Sequence, residues 1–227
     1  MQKKIELLIL LLLIAGLSVL NKNLEKQVTS DKITVKENVV VLDAGHGGAD
    51  PGKVGIGDIL EKDINLKIAK KVEKLLEKKK IQVIMTREDD TMLTGEGSTG
   101  TKAADMKARV SMINETAPKL AVSIHQNSYE DPEVWGAQVF YYENSSEGER
   151  AAQIMQSALL SCNEDNKRQA KANDTYYLLK RTEIPTIIVE CGFLTNPQES
   201  EKLCDETYQE TLAEAICKGI LEYLGKQ

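Results

Sequence analysis

The sequence predicts an α/β fold: a single twisted, mostly parallel or mixed sheet of about six strands with helices on both faces. Three observations carry this expectation. Short apolar runs alternate along the chain with longer segments of helical period, the order that sets helices against a sheet. The composition is that of an ordinary globular protein, 41% hydrophobic and 28% charged, and 227 residues suffice for one sizeable core. Aromatic residues make up only 4%, so that core must be built mostly from Ile, Leu, Val and Ala.

At the N-terminus Lys3 and Lys4 precede an apolar run from Leu7 to Leu20, broken only by Gly16 and Ser18. A positive end followed by such a run is an export signal. No small-x-small cleavage site follows it, and no Cys is present there for lipid modification. It therefore reads as a membrane anchor in preference to a removed peptide, which places the protein outside the cytoplasm, anchored or secreted. Residues 1–22 are taken as this signal or anchor, 23–36 as a polar linker and 37–227 as the folded domain.

Val39–Leu42 is the first strand, closing in the turn Asp43-Ala44-Gly45-His46-Gly47-Gly48. From Glu61 to Lys80 the residues Ile64, Ile68, Val72, Leu75 and Leu76 recur as a helical face. Acidic Glu61 and Asp63 open that helix and three lysines close it, as the helix dipole favours. Ile81–Thr86 is a second strand, followed by a polar loop to about Thr101 and a short helix over Ala103–Asn114. Leu120–Ile124 is a third strand, ending at His125, and Ala137–Tyr142 a fourth. Ser146 and Glu149 form a capping-box pattern ahead of a helix bearing Ile154, Met155, Ala158 and Leu159. Tyr176–Leu179 and Thr186–Val189 read as two further strands. A last helix carries Tyr208, Leu212, Ile216, Ile220 and Tyr223 on one stripe.

A net charge of −6 gives no basic face of the kind that binds nucleic acid. The four cysteines show no C-x-x-C spacing, so neither a zinc ribbon nor a redox motif is indicated. The chain has only two histidines, and both directly follow a strand, where open α/β sheets carry their sites. Glycines at 45, 47 and 48 leave room beside His46 for a metal or a substrate. A catalytic zinc takes three His or carboxylate ligands and keeps a fourth position for water. Glu61 suits the third ligand by position, although Glu37, Asp43, Asp50, Asp58 and Asp63 compete on spacing. Glu190, at the end of an apolar strand, suits a general base whose pKa is raised by burial. An ion-paired strand-end glutamate would show the same pattern.

The segments Leu42–Gly48, Glu61–Leu66, Met85-Thr86-Arg87, Arg109 with Asn114, Ser123–Asn127 and Val189–Asn196 resemble, in order, those of the zinc-dependent N-acetylmuramoyl-L-alanine amidases of the amidase type 3 family. The resemblance runs over residues 39–224. It implies one Zn²⁺ held by His46, Glu61 and His125, Glu190 as the catalytic glutamate, and 37–227 as the zinc amidase catalytic domain. It also implies hydrolysis of the amide between N-acetylmuramic acid and L-alanine in peptidoglycan. Asn127, Arg87 and Arg109 are candidates for substrate contact or for support of the ligands, with a structural ion pair as the alternative for each arginine. Ala44 stands where the family usually has Pro, and Gln126 and Ser128 replace small residues beside Asn127.

Glu61-Lys62-Asp63, the Thr86–Gly100 loop and Gly136-Ala137-Gln138, behind an N-terminal anchor, are similar to the sporulation-specific branch that matures spore-cortex peptidoglycan. Two other functions share the same residues: a zinc peptidase cutting within the stem peptide, and a peptidoglycan-binding scaffold without turnover. The interval between His125 and Glu190 is filled by the elements assigned above, which leaves no spare helix to cover the metal. Control is then expected from weak metal retention, from membrane contact through the N-terminal segment, or from an exported activating protein.

Overall fold

Among the described residues six strands form one sheet in the order β2-β1-β3-β6-β4-β5. The computed structural model describes residues 34–94 and 100–226; the expected anchor and nearly all of the linker lie outside them. Among the described residues no helix is long and apolar enough to cross a membrane. The strands are β1 (Lys36–Ala44), β2 (Gln82–Met85), β3 (Pro118–Asn127), β4 (Gln138–Tyr142), β5 (Lys171–Asn173) and β6 (Thr186–Phe193). The helices are α1 (Glu61–Lys78), α2 (Lys102–Thr116), α3 (Ser146–Leu160), α4 (Tyr177–Arg181), α5 (Pro197–Cys204) and α6 (Glu206–Tyr223).

The three pairings β2-β1, β1-β3 and β3-β6 are parallel, and β4 enters antiparallel against β6. The sheet is therefore mixed, and its central strands β1, β3 and β6 are buried over most of their length. Alternation along each strand sends side chains to opposite faces. Val40, Leu42, Val122, Ile124, Ile187 and Val189 meet Ile64, Ile68 and Val72 of α1, Met155 and Leu159 of α3, and Leu212, Ile216 and Ile220 of α6 in one core. A smaller cluster of Phe140, Ile188 and Leu179 of α4 forms on the other face, which α2 also covers.

Several local expectations are corrected. Tyr176–Leu179 is not a strand: α4 begins at Tyr177, and its single turn packs Leu178 and Leu179 inward. The sixth strand is instead Lys171–Asn173, a polar edge segment paired parallel to β4. The N-cap of α3 is Ser145, whose hydroxyl accepts from Gly148 N at 3.0 Å, one residue ahead of the expected box. The region before the last helix holds a separate helix, α5, opened by Asn196 Oδ1 accepting from Glu199 N at 3.0 Å and carrying Pro197 in its first turn, where the missing N–H is harmless.

Candidate active site

The β3–β6 register places His125 directly beside Glu190, and the β1–β3 register places Asp43 beside Ser123. These four side chains emerge on the face covered by α2 and α4. The turn after β1 then supplies His46, and the first residue of α1 supplies Glu61. The ligand-capable atoms of His46, Glu61 and His125 all lie within 4.8 Å of one another. Glu61 Oε2 is 3.3 Å from His46 Nε2 and Glu61 Oε1 is 2.9 Å from His125 Nδ1. Asp43, a competitor on spacing, is instead buried beneath the turn. Asp50 binds the back of His46, while Glu37, Asp58 and Asp63 are exposed and outside this cluster.

Each member is fixed by its surroundings. His46 adopts φ of 62°, a left-handed conformation uncommon outside Gly, Asn, Asp and His. Its Nδ1–H donates to Asp50 Oδ2 at 2.8 Å, which turns Nε2 toward Glu61; a carboxylate on the far nitrogen is the usual way to fix a metal-binding imidazole. Lys102 in turn bonds Asp50 Oδ1 at 2.7 Å. Glu61 accepts Lys53 N at 2.8 Å on Oε2 and Gln126 N at 3.1 Å on Oε1. Two glycines are obligatory here. A Cβ at Gly45 would stand 2.2 Å from His125 Cε1, and one at Gly52 would stand 2.6 Å from Glu61 Oε2.

Beneath the turn, Arg109 is 1% exposed. It donates from Nε to Asp105 Oδ2 at 2.7 Å, from Nη1 to Asp43 Oδ1 at 2.5 Å and Ala44 O at 2.9 Å, and from Nη2 to His46 O at 2.6 Å. Arg87 donates to Ala44 O, Gly45 O, Lys62 O and Asp89 O. Neither arginine is among the residues that line the cavity holding the histidines. Their place is behind the site, clasping the backbone of the turn. Burial opposes the charge on Asp43 most strongly, but Arg109, Ser123 and Thr86 outweigh it and hold the carboxyl down at about 2.

The cavity has a volume of about 410 Å³ and is lined by His46, Glu61, His125, Glu190 and Asn127, with Tyr176, Tyr177 and Leu178 on the α4 side. Asn127 lies at the wall of this cavity. The tyrosines were missed because their segment reads as a strand. The His46 and His125 side chains remain 22% and 18% exposed, so solvent reaches the cluster. Burial raises Glu190 most, Glu61 adds to this and the histidines oppose it, leaving its carboxyl pushed up to about 7. Its Oε2 is buried with no hydrogen-bond partner among the described residues. Burial works against a charge on His125, yet Glu61 and Glu190 prevail and raise it to about 9. The cluster therefore attracts positive charge, a demand that a divalent cation meets by displacing the proton.

A mixed α/β sheet with a His–Glu–His cluster and a buried glutamate at adjoining strand ends defines a hydrolase catalytic domain able to hold a catalytic metal. The chain belongs to the N-acetylmuramoyl-L-alanine amidase family, whose pattern matches residues 40–222, and it is an amidase acting on peptidoglycan. It is 42% identical over 188 residues to the germination-specific N-acetylmuramoyl-L-alanine amidase of Bacillus subtilis (strain 168), covering 82% of this chain and 79% of that protein. Among solved structures it resembles the CwlD amidase from Clostridioides difficile in complex with the GerS lipoprotein. That match has 40% identity and a TM-score of 0.79, over 83% of this chain and 98% of that one. It also resembles the amidase AmiC2 of Nostoc punctiforme, at 32% identity and a TM-score of 0.73, over 85% and 100% of the two chains.

Proposed function

We propose that this domain is a zinc-dependent amidase of the spore cortex, with His46, Glu61 and His125 as the metal ligands and Glu190 as the general base. The observation that carries the metal reading is the convergence of those three side chains, each from a different element, within 4.8 Å. Oxygen and imidazole donors in this number suit zinc with a position left for water. Zinc bound there would polarise the scissile carbonyl and lower the pKa of water.

The chain's own groups do the rest. Glu190 Oε2, with no partner among the described residues, is placed to accept the proton of the attacking water. Its carboxyl near 7 then suits return of that proton to the departing nitrogen of L-alanine, because a base works best when its pKa lies near the working pH. Asp50 and Lys53 N–H keep His46 and Glu61 in place throughout. Asn127 at the cavity wall is placed to orient substrate. The cortex assignment is supported by likeness to a germination-specific amidase. Dependence on an exported lipoprotein is supported by the partner present in the CwlD structure. The apolar stretch Leu7–Leu20 supports a membrane-anchored protein facing the wall, with 23–36 as linker and 37–227 as catalytic domain.

The test is a digest of purified cortex peptidoglycan, with and without added zinc and partner lipoprotein, analysed by mass spectrometry. Free lactyl groups on muramic acid are expected, whereas shortened stem peptides would establish a peptidase instead. Glu190→Ala should retain zinc and lose turnover about 10²–10⁴-fold. Full activity in that variant would remove Glu190 from the reaction.

A further inference from the structure

Gln126 is 3% exposed and Asn65 is fully buried, two polar amides in contact behind the candidate metal centre. Gln126 Nε2 donates to Asn65 Oδ1 at 3.1 Å. Asn65 Nδ2 donates to Gly45 O at 3.1 Å and to Glu61 Oε1 at 3.3 Å. The direction of this chain is fixed by chemistry. A carbonyl and an ionised carboxylate can only accept, so the Asn65 NH₂ must face them and its oxygen must face Gln126. Gln126 must then present its own NH₂, and its Oε1 is left buried without a partner.

We propose that Gln126 is a positioning residue for the metal centre: by donating to Asn65 Oδ1 it locks the one Asn65 orientation that holds Glu61. This rests on the zinc reading above. Without that donor Asn65 Oδ1 is left buried and unpaired, and the side chain gains rotamers that carry its NH₂ away from Glu61 Oε1, so that the carboxylate loses a support at the place where it faces both histidines. Gly45 is the residue against which the His125 ring packs, so the same amide steadies two of the three ligands. Gln126 also offers its backbone N–H to Glu61 Oε1 at 3.1 Å, which its side chain does not affect. The unpaired Oε1 argues that the side chain is not there for stability. A buried oxygen without a partner is costly, and an apolar residue at 126 would only pass that cost to Asn65 Oδ1.

The test uses the full-length chain, with zinc dissociation constants measured by chelator competition and melting measured in metal-free protein. Gln126→Met keeps length and volume while removing the donor. It exchanges one unpaired oxygen, Gln126 Oε1, for another, Asn65 Oδ1, so metal-free melting should stay within about 2 °C of the parent. Zinc affinity should fall about 10–100-fold, the usual effect of losing an outer partner of a metal ligand. Asn65→Leu should weaken zinc at least as much, and adding Gln126→Met to it should change nothing further, because the Gln126 side chain reaches Glu61 only through Asn65. Should Asn65→Leu not fold, the Gln126→Met measurement decides alone. A Gln126→Met affinity within twofold of the parent would overturn the role of Gln126. So would affinity and melting falling together, or losses that multiply in the double variant. A parent chain that binds no zinc would instead overturn the metal centre itself.

Discussion

Replacing Arg109 by Met tests what holds the histidine turn against the sheet. The guanidinium carries four close hydrogen bonds, to Asp43, Asp105, Ala44 O and His46 O. Methionine fills much of the space and supplies none of them. Ala44 O keeps a bond from Arg87 Nε, but His46 O loses its donor, and Asp105, whose Oδ1 already lacks a partner, is stranded. Asp43 retains only the Thr86 and Ser123 hydroxyls at a site that is 2% exposed. Removing one partner of a buried ion pair costs about 3–5 kcal/mol, because the other charge is left uncompensated. For a domain of this size that is a drop in melting temperature of roughly 6–20 °C. The same change frees the left-handed His46, so zinc affinity should fall as well. Adding Asp43→Asn removes the stranded charge and should recover part of the stability without restoring the metal affinity. Thermal melts by circular dichroism, with chelator competition for zinc, follow both effects. A single variant melting within 2 °C of the parent, or a double variant no more stable than the single one, would refute this account.

Acid stability reports on the same network. The Asp43 carboxyl falls from its ordinary 3.8 to about 2 on folding, so its contribution is complete above about pH 4 and disappears as the pH falls toward 2; the amount is roughly 2 kcal/mol. Asp43→Asn should flatten the stability curve over that window, and a slope equal to the parent's would contradict the assignment. Gly45→Ala must displace the His125 ring, so zinc affinity should drop at least about tenfold with metal-free melting changed by only a few degrees; parent-like zinc binding would show that the ring has somewhere else to go.

What the sequence displayed and what it hid follow from range. β1, β3 and β6 are continuous apolar runs because both faces of a central strand are covered, and their ends carry His46, His125 and Glu190 in plain view. Glu61 stood among five spacing competitors until the fold brought its carboxylate between the two imidazoles; no local pattern separates it from Asp43 or Asp50. Lys171-Ala172-Asn173 is an edge strand with no buried face, so it has no apolar period to read. Tyr176-Tyr177-Leu178-Leu179 has the aromatic and aliphatic content of a strand, yet tertiary packing winds it into one turn of helix beside Glu190. The Arg87 and Arg109 segments were recognisable, but that both arginines bind backbone carbonyls of a single turn depends on contacts distant in sequence. Asn65 looks like a polar position on a helix, and only the buried amide of Gln126 reveals what it holds.

The parallel pairing of β1, β3 and β6 also bears on timing. His46 and Glu61 are near neighbours along the chain, but His125 joins them only when β3 docks, and Glu190 only when β6 is added. Contacts so widely separated form late, since loop-closure entropy must be overcome first. An unfolded chain therefore has not yet brought His46, Glu61 and His125 together or set Glu190 beside them. The cluster is thus a property of the folded sheet and of no shorter stretch of the chain.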